Sequence, residues 1–461
     1  MGLGAGIVGA ARAASPSGLG ASTASSADGA IADVPQAVAR GYAYLSFAMD
    51  AYRQDGTPRL VQSFSDSQAL GSTAFVYDNA LTILAYLRRG TAADVARATL
   101  LGDSFLYAQA HDPIYADGRL RQAYWVGPFT LPFASTDAYF VRGDGTVNLV
   151  GAPFFFVGSS VSDMSWVGIA LAQLFARTGE SRYLEGSLRL ARWIVDNAFD
   201  ATGLGGYSFG VDGNNRRLSS VRLTEHNVDV YALFTHLLAP LTGDARWADR
   251  GQHALEFIER MWNADRGFFY IGSTDGQIDT APVLEEVQSE SYLALLDHRY
   301  ADALDWTKTN LVATDTPQSL HASFTGNLRL TGVSFSDVSR RATERAGASD
   351  PLPDPDAVWL EGTAHMVAAL LARGRPAGRD LPSFHGDVAT ASEYGSHIIL
   401  AQRELGRGQT VNGLAIPDAS GVVAASSVLN SGTGFSYYPN LHIAATSWSL
   451  IAAQAGNPYR L

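Results

Sequence analysis

The chain has 461 residues, 46% of them hydrophobic and 17% charged, so it can bury a large core and is not disordered as a whole. A net charge of −12 without a Lys/Arg-rich run disfavours nucleic acid and anionic lipid as partners. Because cysteine is absent and the 10 histidines lack HExxH or comparable spacing, the sequence excludes disulfides and cysteine nucleophiles and predicts no metal site.

Residues 1–33 differ in composition from the rest of the chain. Residues 2–10 are small and apolar, the triplet ARA at 11–13 resembles a signal-peptidase site, and Ser/Gly/Ala-rich sequence follows. We interpret the segment as a signal-peptide remnant and flexible leader, with a disordered Ala/Gly tail as the alternative. A secretory leader predicts a secreted or periplasmic protein. No later run reaches the roughly 18 apolar residues that span a bilayer, so no membrane partner is expected.

Residues 34–461 are predicted to form a single domain of paired helices. One helix of each pair is almost wholly apolar and the other amphipathic, as expected for an inner helix packed against an outer one that faces water. The apolar helices are predicted near 72–87, 161–177, 225–241, 287–298, 359–372 and 443–455, and the amphipathic helices near 35–52, 91–110, 180–197, 244–262, 300–312 and 388–405.

Two kinds of connection recur along the chain. The turn TGESRY at 178–183 matches TGDARW at 242–247, with a glycine that ends one helix and an acid that begins the next. The loop around 205–213 resembles the loop around 267–276, whereas the aromatic loop at 111–160 is long enough to be functional. This repetition predicts a double ring of helical hairpins, with an open solenoid as the alternative.

Each apolar helix begins with a polar cluster. Thr224 is a predicted N-cap, and the residues that follow bring a carboxylate, an imidazole and an amide together. Acids favour helix starts generally, but the outer helices lack the accompanying His, Trp, Tyr and Asn. In a closed ring all six starts lie on one face and form a funnel. The clusters are Tyr77-Asp78-Asn79, Asp163 with Trp166, Glu225-His226-Asn227, Glu286 with Gln288 and Glu290, Trp359 with Glu361, and Tyr437-Tyr438 with His442.

A funnel lined by carboxylates and aromatic rings suits cleavage of glycosidic bonds. One carboxyl group protonates the leaving oxygen and a second, ionised one activates water, about 6.5–9.5 Å away in inverting enzymes. We predict Glu225 as the proton donor, with Asp229 on the same helix face to tune it. Asp78 ranks first and Glu361 second as the base. The predicted substrate contacts are Asn79, Trp125, Asp137, Asp163, Trp166, His226, Asn227, Asp229, Glu290, Trp359, Tyr437, Tyr438 and His442.

The six apolar helices, the TG[E/D] turns and the acids at the loop face resemble the (α/α)6-barrel six-hairpin glycosidases over about residues 34–461. No subfamily motif matches. The resemblance implies an all-α fold, an (α/α)6 barrel or six-hairpin toroid with loop and short-strand insertions at the active-site face. It also implies a secreted glycoside hydrolase for a poly- or oligosaccharide, commonly inverting, often without a cofactor, and with no obligate protein partner.

Other functions remain open from the sequence. A polysaccharide lyase would use Tyr or His to remove a proton, with Asn, Arg or His to neutralise a uronate, but few arginines lie at the helix starts. A sugar epimerase would use paired histidines in a helical barrel, and a non-catalytic glycan-binding protein would need no acid–base pair. No GxSxG motif supports serine hydrolysis, and acids in Gly turns such as Asp212 and Asp275 are weak evidence for calcium.

Overall fold

The computed structural model describes residues 33–52, 57–66, 70–127, 139–150, 155–374 and 385–461. Within these ranges the helices alternate between an outer and an inner position. The outer helices are α1 (Val34–Asp50), α3 (Ala92–Ala110), α5 (Ser181–Ala198), α7 (Ala245–Met261), α9 (Asp302–Asn310) and α11 (His385–Glu404). The inner helices are α2 (Val76–Arg89), α4 (Val161–Thr178), α6 (Thr224–Tyr231, π-helical Ala232–Leu238 and Ala239–Thr242), α8 (Glu285–Leu295), α10 (Leu360–Gly374) and α12 (Ile443–Ala453).

The inner helices form a closed ring. Each packs against the next in the order α2, α4, α6, α8, α10 and α12, and α12 returns to α2. The outer helix α1 packs against α12 and α11, so the two ends of the chain close the barrel together. This closure confirms the predicted all-α (α/α)6 barrel and excludes an open solenoid. No helix in the described ranges combines the length and the apolar character needed to cross a membrane.

The two faces of the barrel differ in loop length. The first three connections from an inner to an outer helix are two-residue turns, with Gly90, Gly179 and Gly243 at φ values of 65°, 76° and 69°. Only glycine adopts this left-handed conformation without a steric penalty, which explains the recurring TG turns. The connections from an outer to the next inner helix are long, and they surround the N-terminal ends of the inner helices. We call this face the mouth.

Short antiparallel strands join the loops of the mouth. They are two or three residues long, apart from one pair of four-residue strands. The pairs are Thr73–Phe75 with Ala123–Trp125, Ser159–Ser160 with Gly210–Val211, Trp262–Asn263 with Phe268–Phe269, Val312–Asp315 with Leu330–Val333, Thr410–Val411 with Leu414–Ala415, and Leu429–Asn430 with Ser436–Tyr437. Gly272–Thr274 lies between Val221–Leu223 and Gln277–Asp279, and single 3-10 turns occupy Phe155–Val157, His298–Tyr300 and Ser339–Arg341.

The same type of hydrogen bond anchors a mouth loop to every inner helix. The side chain of the fourth helical residue accepts a hydrogen bond from a backbone N–H of the preceding loop. The bonds run from Val61 to Asn79 (2.8 Å), Leu120 to the Met164 sulfur (3.3 Å), Tyr207 to Asn227 (2.8 Å), Phe269 to Gln288 (2.7 Å), Val333 to Thr363 (3.1 Å) and Val422 to Thr446 (2.9 Å). Buried backbone donors need partners, so this position is structural throughout the ring.

Candidate active site

Two layers of side chains line the axis of the ring. The second residue of each inner helix forms the upper ring, and the sixth residue, one turn deeper on the same face, forms the lower ring. The upper ring consists of Tyr77, Ser162, Glu225, Glu286, Glu361 and Ala444. The lower ring consists of Leu81, Trp166, Asp229, Glu290, His365 and Trp448.

Contacts between helices show that both rings face the axis. The Tyr77 hydroxyl donates to Glu361 Oε1 at 2.8 Å, and the Trp448 indole donates to the same hydroxyl at 2.9 Å. The Ser162 hydroxyl donates to Asp229 Oδ2 at 2.7 Å. Members of the two layers therefore bond to each other across the ring, and Glu361 is held by Tyr77, which Trp448 of the lower ring supports.

Solvent reaches part of the upper ring but not the lower ring, and within the upper ring Glu361 and Ala444 are buried, with exposed fractions of 2% and 0%. Tyr77, Glu225 and Glu286 are partly exposed, with 21% of the Glu225 side chain accessible, whereas Trp166 and Asp229 are each 1% exposed. The funnel is therefore a pocket that opens at the mouth and closes within about one helical turn, roughly 5 Å. A ligand that enters from the loops would meet the carboxyl groups of Glu225 and Glu286 first.

Four acids lie together on α6 and α8, a group that we call the carboxyl side. Glu225 and Glu286 are within hydrogen-bonding reach of each other, and Asp229 and Glu290 lie below them. Burial, followed by the repulsion of neighbouring carboxylates, raises the pKa of Glu286, Asp229 and Glu290 well above their usual values. Burial also raises the pKa of Glu225, and its hydrogen bond with Glu286 lowers it in part. Two carboxyl groups in contact must share a proton, so this side holds protons at neutral pH.

The carboxyl side is closed from below by Tyr459. Its hydroxyl donates to Asp229 Oδ1 at 3.1 Å and also bonds to Glu290, and its ring lies 5.0 Å from that of Trp166. Tyr459 is fully buried. The adjacent residues fix it, since Asn457 donates to the Leu293 carbonyl and Gln173 donates to the Pro458 carbonyl.

We call the opposite arc the histidine side, because its acids are paired with histidines. It is formed by α2, α10 and the residue before α12. His442 Nε2 is 3.1 Å from Asp78 Oδ2, and His442 Nδ1 is 3.6 Å from Glu361 Oε2. Burial disfavours a charged imidazole, but attraction and hydrogen bonding to Asp78, together with Glu361, raise the pKa of His442 above its ordinary value. His365 lies 3.2 Å from Glu285 and 3.9 Å from Glu361 Oε1.

Glu361 differs from Glu286 although both occupy the same position in their helices. The pKa of Glu361 is raised overall by burial, and the charges of His442 and His365 offset part of that rise. Among the described residues, no cation offsets the effect of burial on the pKa of Glu286. The histidine side therefore favours an ionised carboxylate more than the carboxyl side does.

Tyr437 links the two sides at the mouth. Burial raises the pKa of its hydroxyl well above the usual value, and so do the charges of four acids, Glu361, Glu286, Asp78 and Glu225. Because a charge acts in this way only over a short range, both sides converge on one hydroxyl. The three acids that we predicted as catalytic therefore gather at one mouth; their roles stay predictions.

Several predicted contacts are corrected by the structure. Asn79 and Asn227 do not face the pocket, because each uses its amide to bond backbone groups of a mouth loop and is fully buried. Thr224 is not the N-cap of α6 but its first residue, and its hydroxyl donates to the Tyr270 carbonyl. His226 is buried against Phe209, and burial lowers its pKa to about 3, which leaves it neutral.

The predicted tryptophan platforms are also buried. Trp125 packs in a small apolar cluster with Ala123 and Val150, and Trp166 belongs to the lower ring. Trp359 is 1% exposed and packs against Phe335 and Tyr437. None of the three offers a free face to a sugar ring in the described structure, so their role as platforms has no support there and stays a prediction.

The remaining predicted residues have distinct positions. Asp163 accepts a hydrogen bond from Ser160 at 2.6 Å, and burial, with a smaller contribution from Asp78, raises its pKa to about 7. Tyr438 donates to Asp350 at 2.8 Å. Asp137 lies outside the described residues. In the described ranges, no group of three His, Asp or Glu side chains has the geometry to hold a metal ion.

The sequence analysis did not single out Ser162, Glu285 or Tyr459 as part of the site. The spacing of four between Ser162 and Trp166, as between Glu225 and Asp229, is a signal that could have identified Ser162. Tyr459 carries no such signal because it lies outside any helix.

Comparisons with solved structures agree with this architecture. One similar structure is a D-mannose isomerase, with 12% identity and a TM-score of 0.59 over 92% of this chain and 97% of that chain. Another is the cellobiose 2-epimerase from Spirochaeta thermophila DSM 6192, with 12% identity and a TM-score of 0.55 over 92% of this chain and 97% of that chain. A third is a glycoside hydrolase family 76 mannosidase from Bacteroides thetaiotaomicron VPI-5482, with 11% identity and a TM-score of 0.53 over 91% of this chain and 97% of that chain. No protein-family profile and no curated protein sequence matches. At this identity the similarity shows a shared (α/α)6-barrel fold.

Proposed function

We propose that this chain is a glycoside hydrolase whose pocket works by carboxylate acid–base catalysis. The observation that carries the proposal is the contrast within the upper ring, where a proton-sharing pair, Glu225 and Glu286, faces a histidine-supported carboxylate, Glu361. Hydrolysis of a glycosidic bond needs one carboxyl group that holds a proton and one that does not. The upper ring holds a candidate for each role, with Glu361 as the carboxyl group more readily ionised.

Glu225 is our proton donor. Its side chain is 21% exposed, and its contact with Glu286 keeps a proton in the pair at neutral pH. The donated proton would go to the oxygen that links the sugar to its leaving group. Glu286 is a positioning residue that shares that proton.

Glu361, rather than Asp78, is our base. Its position in the upper ring turns it towards the axis, and Tyr77 fixes one of its oxygens. Asp78 is the third residue of its helix and bonds to His442, which places it behind Glu361 as a support. Glu361 would take a proton from the attacking water. The resemblance to six-hairpin glycosidases implies inversion, and NMR of the first-formed anomer tests that prediction.

Mannosides are the first substrates to test, because the glycosidase among the similar structures reported above is named a mannosidase. A panel of neutral α- and β-mannans and glucans should be assayed for new reducing ends, with the Glu361→Gln variant as the control. We expect release from at least one polymer by the wild type and a loss of about three orders of magnitude in the variant. Equal release by both proteins would refute the proposal.

Sugar epimerisation or isomerisation is the second candidate. Two histidines, His365 and His442, flank Glu361 in the pocket, and two similar structures are an epimerase and an isomerase. These reactions move a proton at carbon and leave the number of reducing ends unchanged. Incubation of free mannose, glucose and cellobiose in deuterated water distinguishes the candidates, since only this chemistry introduces deuterium at a sugar carbon.

A further inference from the structure

Phe435 carries an aromatic ring at the rim of the pocket. It is 44% exposed, and the other large apolar side chains with comparable exposure in the described ranges are aliphatic, apart from Tyr139. Exposed aliphatic side chains are common, but an exposed phenyl face is the surface on which the C–H groups of a pyranose ring stack.

Aromatic contacts connect this ring to the catalytic pocket. The centroid of Phe435 is 5.3 Å from that of Tyr437, which lies 5.7 Å from Trp359, and Phe335 packs against all three. Tyr437 is the residue whose hydroxyl is influenced by the acids of both sides. A ligand in contact with Tyr437 therefore has the Phe435 ring as its next neighbour outward.

The backbone holds Phe435 in a fixed place. The strands Leu429–Asn430 and Ser436–Tyr437 form a hairpin whose turn contains Gly432 and Gly434 at φ values of 80° and 106°. The Ser431 hydroxyl donates to the Phe435 carbonyl at 2.8 Å. A ring on a braced turn loses little conformational freedom when it binds a ligand, which favours affinity.

A second loop supports the hairpin from the side. Asp350 accepts hydrogen bonds from Ser436 at 3.0 Å and from Tyr438 at 2.8 Å, and Asn430 donates to the Glu344 carbonyl at 2.9 Å. Polar groups thus stand beside the exposed ring. An apolar face with adjacent hydroxyl and carboxylate groups matches the alternating C–H and O–H surfaces of a sugar.

We propose that Phe435 forms a binding subsite for a second sugar unit of a neutral oligosaccharide whose first unit occupies the carboxylate pocket. The inference rests on the proposed function for the identity of that pocket. It predicts that affinity rises between a monosaccharide and a disaccharide or longer chain, and that this rise depends on the ring. The net acidity of the chain and the carboxylates of the pocket make an anionic saccharide a poor occupant.

The test measures binding by calorimetry with manno- and gluco-oligosaccharides, from monosaccharide to hexasaccharide. The background variant is Glu225→Gln, which prevents turnover. We expect Phe435→Ala to weaken binding of the longer saccharides by about tenfold while monosaccharide affinity stays within about twofold, and Phe435→Trp to retain it. The control is Leu296→Ala, because Leu296 is 43% exposed at the opposite end of the barrel.

The outcomes separate the two proposals. Length-dependent binding that Phe435→Ala abolishes, without hydrolysis by the wild type, supports the subsite and refutes the hydrolase. Hydrolysis with oligosaccharide affinity unchanged by Phe435→Ala refutes the subsite alone. If no saccharide in the series binds to the parent protein, both are overturned.

Discussion

The carboxyl side and the histidine side of the pocket are built from the same helix position yet hold protons differently. Glu225, Glu286 and Glu361 are the second residues of three successive inner helices. The first two face each other and share a proton, whereas the third lies between two imidazoles. The comparison shows that neighbours brought by the fold, and not the residue type, determine which glutamate is more readily ionised.

Removal of the proton donor should have the largest effect. The Glu225→Gln variant cannot protonate a leaving group, so we expect kcat on an unactivated glycoside to fall by about 10³-fold. A glycoside with a nitrophenolate leaving group needs little protonation, and its turnover should fall much less. The measurement is the ratio of the two rates.

The Glu361→Gln variant is the matched comparison for this experiment. It removes the base, which every leaving group needs, so both rates should fall together. If the activated glycoside rescued Glu361→Gln and not Glu225→Gln, the two sides would have to exchange roles.

The second largest effect is expected on the pH profile of activity when His442 of the histidine side is replaced. A raised pKa keeps His442 protonated further towards neutral pH, and its charge favours the ionised form of Glu361. In His442→Asn that support is lost, the pKa of Glu361 rises, and the acidic limb of the profile of kcat/KM against pH should move to higher pH. We expect activity near pH 6 to fall about tenfold.

His226→Asn is the control for the shift of this limb. His226 is buried with a pKa lowered to about 3, so it carries no charge that could support a carboxylate at the pH of the assay. The limb should stay in place in this variant. An equal shift in both variants would mean that His442 acts through packing and not through its charge.

Much of the barrel could be predicted from the sequence because periodicity and turn chemistry are local. The TG turns at 178–183 and 242–247 end and begin helices where the pattern placed them, and Thr91 caps α3 through hydrogen bonds with Asp94. That the polar clusters lie at the same face of the barrel could be predicted once the ring of helices was taken to be closed. The turns and the cap depend on residues within a few positions of each other.

It was harder to predict which polar side chains face the pocket, because this depends on the orientation of the first helical turn. Asn79 and Asn227 stand beside candidate acids in the sequence, but the fourth helical position points to a loop backbone and the second points to the axis. The pairing of His442 with Asp78 joins residues 364 positions apart. No local pattern contains that contact.

A smaller effect is expected at the base of the carboxyl side. Tyr459→Phe removes the hydroxyl that donates to Asp229 and leaves a buried acid with one partner fewer. A loss of this kind costs about 1–3 kcal/mol, so the melting temperature should fall by a few degrees. Calorimetry at pH 6 measures it. Tyr107→Phe, which removes a bond to a backbone carbonyl of a surface loop, is the comparison and should cost less.

The smallest expected effect is on the pH dependence of the melting temperature, which tests the protonation of the buried acid Asp163. Burial raises the pKa of Asp163 from 3.8 to about 7, so the folded chain binds this proton more tightly than the unfolded chain does. Its stabilising contribution is complete below about pH 4 and is lost as the pH rises through about 7. Wild-type protein should therefore melt at a lower temperature at pH 8 than at pH 5, and Asp163→Asn should reduce this difference by a few degrees.

Asp244→Asn provides a control of opposite sign. Asp244 lies at the surface, where its hydrogen bonds with Arg246 lower its pKa, so its contribution is lost only as the pH falls below its ordinary pKa and is complete at pH 5. Its replacement should leave the difference between pH 5 and pH 8 unchanged. If Asp163→Asn and Asp244→Asn altered the difference alike, Asp163 would be ionised in the folded chain at neutral pH, and burial could not be what raises the pKa of this acid.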